Sequence, residues 1–294
     1  MPRESVNDKR PDREPRHSIG SHLRLRLPRL GAMIAALVVA TLAMFLAHRC
    51  SHNGGSPFPE GLPQKSGGDT LDVAIEISPL SYSLAEDTVT GLDYDMLREM
   101  AAQARRPVKF HPFAPMDYAL DGLRAGVFDV VISSLPSTSS LKQELLLTDR
   151  VYLDRQVLVQ RRGAPDFVSE AHALGGQKVW IAPGSPLRDR IRNLSREIGD
   201  TIYIMSDHPY TSEHLVMLVA AGEIPRAVVN EGLARRLAET DSSLDVSTPV
   251  SFTQFQTWAV APGDTAMLRT LNSWLARYRA TPRYNALLER YLSR

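Results

Sequence analysis

With one cysteine, Cys50, in 294 residues, an intramolecular disulfide framework is excluded. Metal-ligand spacing is missing too. The histidines (His17, His22, His48, His52, His111, His172, His208, His214) form no HExxH or comparably tight pair, so no metal is expected. The chain has no GxSxG elbow, no Walker loop and no GxGxxG turn. The usual signatures of nucleophile-elbow hydrolysis, nucleotide hydrolysis and dinucleotide redox chemistry are therefore absent, and no cofactor is expected. Nor is there an excess of charge of one sign. Lys and Arg number 34 against 33 Asp and Glu, a formal net charge of +1, which gives no electrostatic reason to expect nucleic acid as a partner. The 20 prolines and 18 glycines are scattered as turns, without repeats.

What is present is unevenly distributed. Residues 1–30 hold Arg3, Lys9, Arg10, Arg13, Arg16, Arg24, Arg26 and Arg29 among prolines, without apolar periodicity, and read as a basic disordered cytoplasmic tail. Gly31 to Ala47 is an uncharged apolar run. It is near the lower limit of the roughly 17–25 residues that span a bilayer. The cationic flank lies on its amino-terminal side, so residues 31–48 are expected to be a single-pass inner-membrane signal-anchor with the bulk of the chain in the periplasm. Leu46-Ala47-His48-Arg49 lacks the small residues of a cleavage or lipidation site, and Cys50 reads as a free thiol. Residues 49–69, rich in Gly, Pro and Ser, read as a flexible linker.

From residue 70 the sequence alternates strand and helix patterns. Leu71 to Ile77 alternates and is rich in β-formers; Tyr94 to Ala104 carries Leu97, Met100 and Ala101 at helical spacing, with Asp93 and Asp95 expected to cap it. The most informative stretch is Leu123 to Tyr152. A helix closes on Gly126, Asp129 opens the β-branched run Val130-Val131-Ile132, and hydroxyl residues follow: Ser133, Ser134, Ser137 and Thr138. Open α/β sheets place ligands beyond the carboxyl ends of their strands, so these four are candidate ligand contacts. Further on, Ala182-Pro183-Gly184-Ser185-Pro186 enters an amphipathic helix from Leu187 to Ile198. Gly184 and Ser185 there suggest free N–H groups suited to an anion.

The order Leu123, Gly126, Asp129, Thr138, Lys142, Thr148, Asp149 and Tyr152 resembles the extracellular solute-binding proteins of the polar amino-acid type, and the resemblance runs through almost all of residues 70–294. It implies an α/β periplasmic binding protein fold of type II, with two lobes joined by two crossing strands. The first lobe would comprise residues 70–156 and 255–294, the second residues 160–250. Val157 to Gln160 and Phe255 to Ala261 would be the crossing strands. The resemblance places the loop to Tyr82 against the ligand, Glu76 at a polar site position, Met116 where an aromatic often stacks, and Glu231 where a carboxylate holds the ligand's α-amino group, with Asn230 beside it. In one respect the chain departs: the arginine that grips the α-carboxylate is replaced by Leu141, and neighbouring Lys142 cannot reproduce its two-pronged fork.

The implied function is capture of a small polar ligand (amino-acid-like, peptide or cell-wall fragment) without catalysis, with an ABC permease or a cell-wall enzyme as partner. Two alternatives stay open. Cyclohexadienyl dehydratases are similar to this family and would use Glu231 or Glu76 as proton donor. Membrane-bound lytic transglycosylases carry a similar module, which Gln156 to Arg161 particularly resembles. The chain stops at Arg294, so the lysozyme-like domain that follows there is not expected, leaving a regulatory or muropeptide-sensing role.

Overall fold

A computed structural model describes residues 61–292, apart from 86 and 207–209. The expectations for the basic tail, the apolar run, Cys50, His208 and the start of the linker fall outside these residues. Among the described residues no helix is long and apolar enough to cross a membrane. The described residues form one compact unit.

The chain runs β1 (Leu71–Glu76), β2 (Ser83–Ala85), β3 (Thr88–Thr90), α1 (Leu92–Gln103), β4 (Val108–Phe113), α2 (Met116–Arg124), β5 (Val130–Pro136), α3 (Ser139–Glu144), β6 (Leu146–Leu147) and β7 (Tyr152–Asp154). It continues through β8 (Gln156–Arg161), β9 (Lys178–Trp180), α4 (Leu187–Ile198), β10 (Tyr203–Met205), α5 (Ser212–Ala221), β11 (Arg226–Asn230), α6 (Glu231–Ala238) and β12 (Leu244–Pro249). Then β13 (Gln254–Val260), α7 (Thr265–Arg279) and α8 (Pro282–Leu292) complete it.

Besides the two-stranded pair β2-β3, two large sheets result, ordered β4-β1-β5-β13-β6, with β7 also on β13, and β10-β9-β11-β8-β12. Each is the centre of an α/β lobe. In the first, β1 lies parallel to β4 and β5, and β13 runs antiparallel to β5. Apolar clusters cover both faces of each sheet, and among the described residues none spans both. The strands expected to cross between lobes do not themselves cross. β8 pairs with β11 and β12 inside the second sheet, β13 pairs with β5, β6 and β7 inside the first, and the chain passes between sheets at Arg155 and at residues 250–253. Their apolar runs are explained by burial within one sheet each.

β1, expected as a strand from its alternation, is covered on both faces. Asp72, fully buried, makes this affordable: Ser66 N–H and Oγ donate to its carboxylate at 2.7 and 2.9 Å, and His111 Nε2 lies 2.8 Å away. Burial pushes the Asp72 carboxyl up, but these hydrogen bonds outweigh it and hold the group below its ordinary value. The same contacts correct the linker reading. Lys65 Nζ pairs with Asp129 at 2.7 Å, so the segment just before β1 is strapped to the sheet rather than free.

Asp93 and Asp95 are not caps either. Residue Gly91 occupies the N-cap of α1 and no side chain caps it. Asp93 accepts from Trp258 Nε1 at 2.9 Å and from Ser81 Oγ at 2.8 Å, and Asp95 accepts from Tyr291 Oη at 2.8 Å. They tie α1 to β13 and α8 across the core. Burial raises Asp93 to about 6 despite the bonds from Trp258 and Ser81. A raised folded-state carboxyl stabilises the fold fully below the unfolded value and loses that contribution as pH rises through about 6. Asp93→Asn, which cannot ionise, should therefore gain on the wild type by roughly 2 kcal/mol between about pH 4.5 and about pH 7.5 in urea unfolding. A wild-type-minus-variant gap that is flat over this range would contradict it.

Candidate functional site

The carboxyl ends of β1, β4 and β5 face the second lobe across a cavity of about 330 Å³. That is at the small end of the roughly 300–1,000 Å³ typical of ligand sites. The first lobe contributes Glu76, Ser78, Met116, Asp117, Ser133 and Ser134. The second contributes Ser185, Ser206, Thr211, Ser212 and Asn230, with Pro183, Pro186 and Leu233 as apolar wall.

Strand and helix ends aim these groups. Ser133 Oγ donates to Glu76 Oε2 at 2.5 Å, fixing the carboxylate between neighbouring strands. Ser134 Oγ pairs with Tyr152 Oη at 2.6 Å, while its carbonyl accepts from Asn230 Nδ2 of the other lobe at 3.0 Å. Burial pushes the Glu76 carboxyl up, the Ser133 hydroxyl opposes this, and the charge of Asp93 adds to it. Asn230 is 8% exposed, and its Oδ1 receives no hydrogen bond from the protein. Its amide orientation is set by Ser134, because a flipped amide would place two oxygens together.

Of the residues expected at the site, Glu76, Met116, Ser133, Ser134, Ser185 and Asn230 line this cavity. Tyr82 packs edge-on against Tyr94 at a ring separation of 5.5 Å and belongs to the first lobe's core. Backbone bonding occupies Ser137, whose N–H donates to Phe255 O at 2.9 Å. Thr138 caps α3 by accepting from Leu141 N–H at 3.3 Å. It borders a second recess, of about 410 Å³, on the far side of Pro186, together with Gln156, Arg190 and Arg196. Leu141 packs onto the apolar cluster around Phe113 and Phe128, turned to the core.

Glu231 does not line the cavity. Its carboxylate is gripped by Arg155 Nε and Nη2 at 2.7 and 2.9 Å, and by Arg235 Nη2 at 2.7 Å. Burial would raise it, but the hydrogen bonds from Arg155 and Arg235 hold it below its ordinary value. Beside it, the α6 start is seated on the first lobe by Asp154, which accepts from Gly232 N–H at 3.2 Å. Burial raises the Asp154 carboxyl to about 6, against the N–H donors of Arg155 and Gly232.

The Gly-Ser turn also differs from expectation. Ser185 N–H donates to Ala182 O, Leu187 N–H to Ser185 Oγ, Arg188 N–H to Ser185 O and Asp189 N–H to Pro186 O. The N–H groups of Ser185, Leu187, Arg188 and Asp189 are thus met within the turn and are not offered to an anion. Sequence reasoning missed Asp117, in the first turn of α2. A carboxylate opening the helix that follows a strand end on the same sheet edge was the available signal.

Gly184 marks a close approach of the two lobes. A Cβ there would lie 2.7 Å from Asp117 Oδ1 and 3.3 Å from Met116 Cβ, at a φ of +69°. Gly184→Ala should hold the lobes apart and cost about 1–2 kcal/mol of stability. A larger radius of gyration by X-ray scattering and a lower Tm are the expected readouts; if both are unchanged, the contact does not constrain the lobes.

Known proteins of similar sequence and structure place this architecture. The membrane-bound lytic murein transglycosylase F of Ectopseudomonas mendocina is 22% identical over 264 residues, covering 90% of this chain and 53% of that protein. The chain thus spans about half the length of this relative. The histidine-binding periplasmic protein of Salmonella typhimurium is 26% identical over 108 residues, 37% of this chain and 41% of that protein. Among solved structures, an ancestral arginine-binding protein bound to arginine superposes with a TM-score of 0.66 at 20% identity, covering 76% of this chain and 98% of that one, a likeness of fold. Residues 71–294 match the bacterial extracellular solute-binding proteins, family 3, and the chain belongs to that family.

Proposed function

We propose that the protein is a membrane-anchored periplasmic binding protein that captures one small polar ligand between its lobes, for transport or sensing. The observation that carries this reading is the cavity itself, built from strand and helix ends of both lobes and lined by hydroxyls, carboxylates and one unpaired amide oxygen. In this reading Glu76, Ser133, Ser134, Ser185 and Asn230 contact the ligand and Met116 is an apolar wall. Residues 31–48 hold the chain in the inner membrane, residues 49–60 lead to the strapped segment, and the lobes close by hinge motion at the two passages.

Likeness to the transglycosylase over 90% of the chain supports a second reading, a module that senses cell-wall fragments beside a cell-wall enzyme rather than feeding an ABC permease. Both readings need the same cavity and differ in the partner. A dehydratase acting on a prephenate-like dianion is disfavoured. None of the described lining residues is Lys, Arg or His, whereas Glu76 and Asp117 would face the substrate's carboxylates.

Thermal shift of the full chain against amino acids, short peptides, amines and muropeptides tests ligand capture. A saturating ligand at about 100-fold its Kd should add roughly 2.7 kcal/mol, a Tm rise of several degrees. A panel that leaves Tm unmoved throughout would refute the binding function.

A further inference from the structure

The proposed ligand capture leaves the chemical class of the ligand open, and the electrostatics of the cavity narrow it. We propose, resting on that reading, that the cavity takes a small organic amine without a free carboxylate, its ammonium group seated by Glu76 and Asn230 Oδ1.

Three independent features point the same way. First, the fixed groups are acceptors. Glu76 and Asp117 are the lining carboxylates, and no lining residue among those described carries a positive charge. Second, Asn230 Oδ1 is a buried acceptor without a protein donor, and its orientation is locked by the Nδ2–H bond to Ser134 O at 3.0 Å. An unmet buried acceptor carries a desolvation cost, which a ligand N–H would recover. Glu76 and Asn230 are brought together through consecutive residues, since Ser133 holds the one and Ser134 the other. Third, the helix starts that would favour an anion are neutralised. α2, α4 and α5 bring Asp117, Asp189 and Glu213 in their first turns, and the turn entering α4 has satisfied its own N–H groups.

A free α-amino acid would bring a carboxylate into this setting with no cation among the described lining residues to meet it. Leu141, the residue at the position of the family's carboxylate-binding arginine, is packed into the apolar core and cannot supply one. An amine of the same length needs no such partner. Its ammonium donates charge-assisted hydrogen bonds to Glu76 and the amide oxygen, each roughly twice as strong as a neutral one. The serine and threonine hydroxyls can serve the rest of the molecule as either donors or acceptors.

Matched pairs that differ only by the carboxylate give the test. Isothermal titration of the full chain with agmatine against arginine, putrescine against ornithine, and cadaverine against lysine should show at least one amine binding about tenfold or more tighter than its amino acid. Glu76→Gln and Asn230→Ala should each weaken that amine at least about tenfold. The Asn230 variant serves where Glu76→Gln does not fold, because Asn230 is not part of the β1 core. An amino acid that binds as tightly as its amine, or an amine unaffected by both variants, overturns the amine assignment while leaving ligand capture intact. No heat from any of the six compounds likewise overturns the assignment, whereas the thermal-shift panel decides ligand capture separately.

Discussion

The architecture depends on what happens in two residues of β5, just past its pairing with β1. Ser133 and Ser134 lie where a doubly covered parallel strand emerges from the core, and each turns a backbone position into a polar junction. Ser133 orients Glu76 from the neighbouring strand. Ser134 uses its hydroxyl for Tyr152 and its carbonyl for Asn230, the first being core of the same lobe and the second the end of β11 in the other. The interior of one lobe is therefore connected to the other lobe by hydrogen bonds, through the groups that line the cavity. Burial of the apolar run Val130 to Ile132 sets the height at which that junction sits.

Charge placement follows from the same geometry. Helix starts normally invite anions, and the family's ligands carry one. Here each helix start at the cavity carries its own carboxylate, and the only described guanidinium pairs near the hinge are internal. Arg155 and Arg235 are spent on Glu231, which makes that carboxylate a lobe-two brace beside the crossing point. Asp154, one residue before the crossing, accepts from the α6 start. At the cavity, by contrast, Asn230 Oδ1 is a buried acceptor that no protein donor meets.

Sequence periodicity and turn residues made the strand–helix alternation legible, including α4 from Leu187 to Ile198 and the start of β5 at Val130, because these are set by local pattern and burial; β5 itself runs on through Ser133 and Ser134 to Pro136. What failed was partner choice. Asp93 and Asp95 look like caps at a helix start, yet their partners are Trp258, Ser81 and Tyr291, two of them near the far end of the chain. Glu231 sits at a strand-to-helix turn, as a ligand contact would, but Arg155 and Arg235 reach it first. Tyr82 was expected at a ligand face and is consumed by an aromatic cluster with Tyr94 and Phe110. Spacing says which residues stand at an edge. It carries no information on which long side chain from elsewhere arrives there.

The division of the core explains why such a site can work as a clamp. Each sheet has its own apolar layers on both faces, so separating the lobes exposes little of either core. Described contacts between the lobes include the hydrogen bonds from Asn230 to Ser134 and from Gly232 to Asp154, and the close approach of Gly184 to Asp117. Polar contacts exchange with water at a net of about 1 kcal/mol each, far less than the opening of an apolar core would cost. A ligand that satisfies Glu76 and Asn230 together bonds to both lobes at once, and its differential affinity for the closed arrangement is what can shift the balance between open and closed. The unpaired amide oxygen is well placed for this, because its value as an acceptor depends on the lobes being near enough for one ligand to touch both.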